Sequence, residues 1–552
     1  MGSAETRSMS SAIVGASLYA GIRKLTFMVV PTVGAGTSDT TVRAPTLARS
    51  SPAGICETVG ADDPEAPALG NESTPMTRAR RLDVRWRHVV VVCIVVVAAT
   101  ARFFRLDLME FKGDEAGVYR LALHALGYTE PGVGRFFPTE GIASSVGVPN
   151  PPLFVYLVAL PTAVVRSPLA PVGLIAATNV VAVWLCYVAG ARIWSRLTGM
   201  IASALLALAP WGIIFSRKLW EQDLLPIVSA LFLLELHALL VQRRERAVTT
   251  LVILAAVGMQ LHFSAVVLGG LAVCALVRAR SVVTARSLAA GLAVAAVLWL
   301  PFLALHGSSL LHPHPASVPP TIAHRFAHAV HLTAAIGGTD ELSTLVSWQP
   351  PAAQALTLLL AVATFAGLTL SVRDGHGDLR SVRGLALVWY VAPAALLTLL
   401  RTTPYIHYFI VLFPLPFIGL GYLVSRLRSR LRVAGIVVAA LLAVVFASTD
   451  IELAHRITRD RGAPGDYGSA FAVKRSIARD LSARSHGHRV ELDGDIAGGA
   501  YDVLLWNEHP NATPRPGPPA HFAIVDAFAP SSHPQVGRLV AEVGPVRVLR
   551  PR

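Results

Sequence analysis

The side chains in this sequence best suited to chemistry are a pair of adjacent carboxylates. The stretch RFFRLDLMEFKGDEAGVYRLALHAL (residues 102–126) leaves a long apolar run, turns through Gly113, and sets Asp114 and Glu115 at the start of an amphipathic helical pattern. Carboxylates held in such a place can accept a proton from a reacting group. The bland explanation is as good, because capping and the macrodipole favour Asp and Glu in the first turn of any helix. Polar groups recur at the ends of three further apolar runs. NPPLFVYLVALP (residues 150–161) places Asn150 before a rigid Pro-Pro. LALAPWGIIFSRKLWEQDLL (residues 206–225) bends at Pro-Trp and then offers Arg217 and Asp223. PYIHYFIVLFPLPFIG (residues 404–419) follows Arg401 and presents Tyr405 and His407. Gln260 and His262 interrupt another apolar run, and polar groups at that depth are functional candidates by default. Each segment alone is ordinary, since Tyr, Trp and Pro are common in membrane helices and their interfaces.

The elements that must position these groups are helices in lipid. Of the 552 residues, 53% are hydrophobic and 15% charged, against the roughly 25% charged residues of a soluble chain. The apolar residues come in blocks, at 201–209, 224–234, 251–258, 288–300, 356–370 and 433–447. With their flanks, such blocks approach the roughly 20 residues that span a bilayer as helix. The predicted fold is an all-α polytopic bundle of 11 to 13 spans with a small α/β domain after it. The net charge of +14 does not point to nucleic acid. Its arginines sit in short gaps (78–87, 243–246, 278–286, 373–383, 426–432), which is the pattern of cytoplasmic loops rather than of a folded basic surface.

Counting from those gaps puts residues 105–150, 306–351 and the tail after 450 on the outer side. The helix bearing Asp114 would then lie along the outer bilayer surface, with His124 on its polar side. Parity fails between residues 152 and 199, where 153–165 is a candidate short or re-entrant helix. Residues 1–77, rich in Ser, Thr, Gly, Ala and Pro, read as a disordered tail or as translation upstream of the true start at Met76. The expected divisions are 1–77, a membrane domain at 78–450, and a soluble outer domain at 451–552. In that last part, residues 470–484 read as an amphipathic helix, and 489–492, 501–506, 521–525 and 546–549 as strands.

Four cysteines have no metal or disulfide spacing. Cys93, Cys186 and Cys274 lie in apolar spans and read as small core residues. The loop histidines His306, His312, His314, His324, His328 and His331 lack any zinc-site spacing and read as a solvated loop.

Taken together and in this order, the acidic pair after the first span, the PPL-aromatic start of the next and the later SR…D motif resemble the GT-C superfamily of membrane glycosyltransferases. The similarity covers about residues 85–425 and is strongest over 102–225. Within it, the branch of protein O-mannosyltransferases and aminoarabinose transferases (glycosyltransferase family 39) is the most similar. The resemblance implies inverting transfer of a hexose or pentose from a polyprenyl-phosphate donor to an extracytoplasmic lipid, glycan or protein. It implies Asp114 as general base with Glu115 beside it, and Arg217 and Arg401 are the candidates to hold the leaving phosphate, because an Arg fork matches phosphate oxygens. Asn150, Asp223, His262, Tyr405 and His407 complete the expected substrate-binding set. Those aminoarabinose transferases carry an acidic and a basic residue before the prolines, where this chain has Pro149 and Asn150; metal use is therefore left open, a divalent metal being possible but not supported by ligand spacing, and no other cofactor is expected. The alternative reading is a lipid or polysaccharide transporter, which would ordinarily show matched halves and ionisable groups at mid-membrane.

Overall fold

A computed structural model describes residues 75–551 except 131–132, 145–147, 312–320, 400–403, 494–498, 510–513 and 529–536. Residues 1–74 of the expected N-terminal tail, Arg401, His312 and His314 therefore lie outside the described residues, while 75–77 begin a helix rather than ending a disordered tail. The chain divides into two compact units, residues 22–90 and the remainder; of the former only the start of the helix Pro75–Phe103 is described.

Helices dominate. Among the described residues, seven are long and apolar enough to cross a membrane, or eight if Ile406–Leu412 and Leu415–Arg426, bent by 51°, form one broken span. This is fewer than the expected 11 to 13. The difference lies in four shorter apolar helices, Leu153–Val164, Arg196–Leu208, Arg246–Leu261 and Phe263–Arg278, each below the roughly 20 residues of a full crossing. Leu153–Val164 has 12 residues, a rise of about 18 Å at 1.5 Å per residue, in line with the short helix expected there.

Glu221–Leu240 lies at the centre of the bundle, whereas Ala285–Ser308 is at its edge and buries only 11% of its apolar window. Leu292, Val297, Leu300 and Leu303 on that edge helix are exposed. Apolar surface of this extent needs lipid rather than water, and the chain is a multi-pass membrane protein. Cys186 is buried, but Cys93 and Cys274 are exposed on apolar helix faces, so two of the three cysteines expected in the core face outward. Close helix crossings use missing side chains. A Cβ on Gly367 would stand 1.9 Å from the carbonyl oxygen of Gly419 on Leu415–Arg426, and the Thr364 hydroxyl donates to the Pro416 carbonyl at 2.7 Å beside it.

The last membrane helix is Ser429–Asp460. It runs well beyond the expected 433–448, so residues 451–460, expected in the outer tail, continue the helix. After it, Phe471–Arg484 is helical as expected, and a four-stranded sheet follows in the order His488–Asp493, Arg515–Asp526, Val546–Pro551, Gly537–Val543. The first pair is parallel and the other two are antiparallel. A parallel pair needs a crossover, and the helix Ala500–Glu508 lies in that connection. The strand expected at 501–506 is this helix. Its buried residues Ala500, Tyr501, Val503, Leu504 and Trp506 recur at helical, not alternating, spacing. Val473, Ile477 and Leu481 pack with Tyr501, Phe522, Ile524 and Val548 in a small core of their own.

Candidate active site

The acidic loop begins where the first helix ends. Arg105 adopts a left-handed conformation (φ 48°), a short 3-10 turn covers Leu106–Leu108, and the helix Gly113–Ala125 starts after Lys112. Glu115 caps that helix: its Oε2 accepts the Lys112 backbone N–H at 3.0 Å. Its other oxygen stands 3.4 Å from Lys218 Nζ. Lys218 also pairs with Glu110 at 2.8 Å and lies 3.3 Å from the centre of the Trp220 ring. Glu110 in turn holds Lys112 at 2.7 Å, and Lys112 reaches Asp466 at 2.7 Å. The result is a chain of alternating charge, most of it sealed from water. Glu110, Glu115 and Lys218 are all buried.

Electrostatics separates the carboxyls. Burial would raise Glu110, but the Lys218 and Lys112 ammonium groups outweigh it and hold the group below its usual range. Burial dominates at Glu115, which is pushed up to about 7 despite Lys218. Lys218 is raised: its own burial opposes the charge, and Glu110 and Glu115 more than restore it. Asp114 is exposed and, among the described residues, makes no hydrogen bond or ion pair. Partial loss of water around it raises its carboxyl, helped by Glu110 and Asp466 and resisted by Lys218 and Lys112. Asp114 is thus the free carboxylate of the group, and its raised value makes it a stronger base than an ordinary aspartate.

This loop is held from the far end of the sequence. Tyr467 donates its hydroxyl to the Leu108 carbonyl. The Phe471 N–H donates to the Met109 carbonyl at 2.9 Å, and buried Lys474 donates to the Phe111 carbonyl at 2.7 Å. Tyr119 donates to Asn507 Oδ1 at 2.9 Å. The helix expected on the bilayer surface is instead covered by the C-terminal region. His124, expected on its polar side, is buried, 2.9 Å from Glu130 and 5.0 Å from the Trp506 ring.

Below the loop is a cavity of about 700 Å3. Val96, Val97, Phe104, Leu208, Ile214 and Ile451 line its apolar part; Arg105, Glu110, Arg217, Lys218 and Asp450 line its polar part. Arg217 donates to the Arg105 carbonyl at 2.7 Å, and burial lowers its guanidinium from the usual range. Behind this wall Arg102 is buried and donates to the carbonyls of Ala207 at 2.9 Å and Leu206 at 3.1 Å. The Leu206 carbonyl needs that donor, because its helical partner is Pro210, which has no N–H.

The other expected residues fall in three places. Asn150 is buried and donates to Glu221 Oε1. Asp223 is buried and accepts the Trp220 backbone N–H at 3.1 Å, closing its own turn. His407 stacks on Tyr405 with ring centres 5.6 Å apart and meets Trp220 at 5.0 Å and His262 at 5.9 Å. These rings form an aromatic wall next to Lys218. None of these five residues lines the cavity. Gln260 donates to the Leu298 carbonyl at 2.7 Å, so it ties two helices together rather than facing an open space. His306 pairs with Glu140 at 2.9 Å and His331 with Glu341 at 2.8 Å.

The sequence reading missed Glu110, Lys112, Lys218, Tyr467, Lys474 and Asp450. A signal existed for two of them: Lys218 directly follows Arg217, and Glu110 stands two residues before Lys112 in MEFKGDE. Among the described residues, no group of three or more His, Cys, Asp or Glu could hold a metal ion. Glu110 and Glu115 are already engaged by lysine, and Asn150 turns its amide N–H, not an oxygen, toward Glu221.

Against solved structures, the chain is similar to ArnT from Cupriavidus metallidurans. The apo state gives a TM-score of 0.53 at 14% identity, covering 85% of this chain and 98% of that one. The form bound to undecaprenyl phosphate gives 0.52 at 14% identity, covering 83% and 97%. The apo oligosaccharyltransferase from Archaeoglobus fulgidus matches at a TM-score of 0.43 and 14% identity over 78% of this chain and 61% of that one. No family model matches, and no curated protein matches. The fold is that of ArnT.

Proposed function

We propose that this protein is an inverting glycosyltransferase that moves a sugar from a polyprenyl-phosphate carrier to a hydroxyl acceptor on the extracytoplasmic side. The observation that carries the reading is Asp114: an unpaired carboxylate with raised basicity, beside Glu110 and Lys218, which line the polar part of a cavity whose remaining walls are apolar. Such a cavity suits a prenyl chain with its phosphate at the charged part. The ArnT structure bound to undecaprenyl phosphate supports this donor class, and the arginine-rich gaps on the opposite side of the helices support the outer placement.

In this mechanism Asp114 takes the proton of the acceptor hydroxyl as its oxygen bonds to the anomeric carbon. The bond from that carbon to the phosphate oxygen breaks, and the phosphate leaves with the electron pair. Arg217 faces the leaving phosphate as a charge-matched donor, while the fixed charges of Lys218 and Glu110 keep the loop in register. A phosphate is already a good leaving group, so electrostatic stabilisation can stand in for a general acid. Glu115 supports the base by capping its helix. The aromatic wall of Tyr405, His407 and Trp220 offers ring faces beside the sugar.

The test is mass spectrometry of envelope lipids and glycans from cells with and without the gene. One hexose- or pentose-sized increment should vanish with the gene and return with the wild-type copy. An Asp114→Asn copy, inserted and folded normally, should not restore it; full restoration by that variant would remove Asp114 from the mechanism.

A further inference from the structure

The short helix Leu153–Val164 presents one apolar side to the outside of the protein. Phe154, Val155, Val158, Ala159 and Thr162 face inward and are buried, and the helix Gly113–Ala125 packs along it. Leu153, Leu157, Leu160 and Val164 recur at spacings of four, three and four, which is one helical face; the first two are half-buried and the last two exposed. Val133, Phe136 and Phe137 of the preceding loop are exposed as well, and the Phe137 ring lies 5.5 Å from that of Tyr156 on the helix. Three points along this segment meet one loop, residues 128–150. At its start the Asn150 N–H donates to the Ile142 carbonyl at 2.9 Å. Midway, the Tyr156 hydroxyl donates to the Pro138 carbonyl. Just past its end the Arg166 guanidinium lies 5.8 Å from the centre of the Tyr128 ring. The next helix, Leu169–Ile193, has 25 residues, a rise of about 38 Å. It ends where the Ile193 carbonyl accepts Arg383 at 3.2 Å, in an arginine-rich gap on the opposite face of the bundle, so it starts on the side of the acidic loop. The short helix thus begins and ends on one side and does not cross. That removes the parity failure between residues 152 and 199.

We propose that Leu153–Val164 lies in the plane of the bilayer surface on the side of the acidic loop, and that its outward stripe, with Val133, Phe136 and Phe137, is a platform seated in the phospholipid headgroup region. Continuity names this occupant. His306, near the end of the edge helix, holds the same loop through Glu140 at 2.9 Å and Thr139 at 3.0 Å, and Leu300, Leu303 and Leu305 of that helix are exposed. The platform therefore joins a surface that lipid already covers. Charge agrees with it. Arg135 and Arg166 are exposed beside the apolar side chains, where an arginine can lay its stem on apolar surface and reach lipid phosphates with its head. A helix of this kind sinks its apolar face about 5–10 Å into the boundary between headgroups and chains. The Gly113–Ala125 helix packs on the platform helix and is tied to the C-terminal region through Tyr119 and Asn507, so the platform sets the height of Asp114 relative to the lipids.

The experiment measures the depth of nitroxide labels on the purified full chain in phosphatidylcholine nanodiscs. Electron paramagnetic resonance reads it from collisions with oxygen, which concentrates in lipid, and with a water-soluble nickel chelate. Cys56, Cys93 and Cys274 are replaced by alanine, and Cys186, which is buried, stays. One label site is then introduced at a time, as Leu153→Cys, Leu160→Cys, Val164→Cys or Phe137→Cys. All four labels should lie just below the lipid phosphates, with those at 153 and 164 within about 5 Å of each other in depth. A crossing helix would separate these two by about 16 Å at 1.5 Å per residue, and that result overturns the proposal. Labels reached mainly by the nickel chelate would put the stripe in water; labels shielded from both collision partners would put another protein over it. Either outcome also overturns the proposal. Should the half-buried Leu153→Cys fail to fold, the exposed positions decide: equal shallow depths at 137, 160 and 164 support the platform, and a label at 164 about 6 Å deeper than at 160 overturns it. The measurement involves no donor or acceptor, so its failure leaves the glycosyltransferase reading standing.

Discussion

Lys218→Met tests the electrostatic core of the site most directly, because methionine keeps the length of the side chain and removes only its charge. Two carboxylates depend on that charge, Glu110 at 2.8 Å and Glu115 at 3.4 Å. Removing one partner of a buried pair costs about 3–5 kcal/mol, and the lower end applies here since Glu110 keeps Lys112 at 2.7 Å. The cost depends on pH in a definite direction. In the parent, Glu110 is held below its usual range, so its pairing supports folding above the unfolded carboxyl value and fades as pH falls through the lowered one. Glu115 is raised to about 7, so its burial increasingly opposes folding as pH climbs from the unfolded value through 7. Loss of Lys218 moves both carboxyls upward, at about 1.4 kcal/mol per unit. At about pH 5.5 Glu115 is protonated in parent and variant alike and adds little to their difference; by about pH 8 that difference should have grown by about 1–3 kcal/mol. Thermal unfolding of both proteins in a mild detergent, followed by far-UV circular dichroism, reads this as a melting-temperature deficit larger at the higher pH. A deficit equal at both values, or larger in acid, would refute the placement of Lys218 between the two carboxylates.

The initial transfer rate should fall as pH drops, with the midpoint of that acid limb above the roughly 3.9 of an unperturbed aspartate, since the surroundings of Asp114 raise its carboxyl. A pH–rate profile with a limb at the ordinary value would contradict that environment. Lys474→Met leaves the Phe111 carbonyl without its donor, at a cost of about 1–3 kcal/mol. Hydrogen exchange over residues 108–112 should quicken and transfer should drop, while membrane insertion is unchanged. Gly367→Ala would drive a Cβ to within 1.9 Å of the Gly419 carbonyl oxygen. Overpacking of this kind costs about 1–3 kcal/mol or more, read as a smaller monodisperse fraction on size exclusion.

Hydropathy and arginine placement made the membrane bundle legible without coordinates, because the bilayer forces apolar residues into blocks whose length alone identifies them. The order of DE, NPPL and SR…D pointed to the GT-C fold for the same reason: these signals are local, and each is read within one segment of chain. Asp114 drew notice along the chain because a carboxylate just after a span stands out against its neighbours, and its role as a base is the proposal made above. The 501–506 stretch was misread because a short apolar run fits both periods until its neighbours bury one face.

What the tertiary structure alone decided is which charges meet. Glu110 and Lys218 are more than a hundred residues apart in sequence, and Lys474 is further still from the Phe111 carbonyl that it holds. No pattern along the chain records such a pairing, because it depends on how helices cross and on what each crossing shuts off from water. The same holds for Asp450, which a sequence reading leaves at the unremarked end of the last span and the fold carries into the wall of a cavity. Covalent neighbours set the helices; exclusion of water by distant neighbours sets which carboxylates are paired and which is left unpaired.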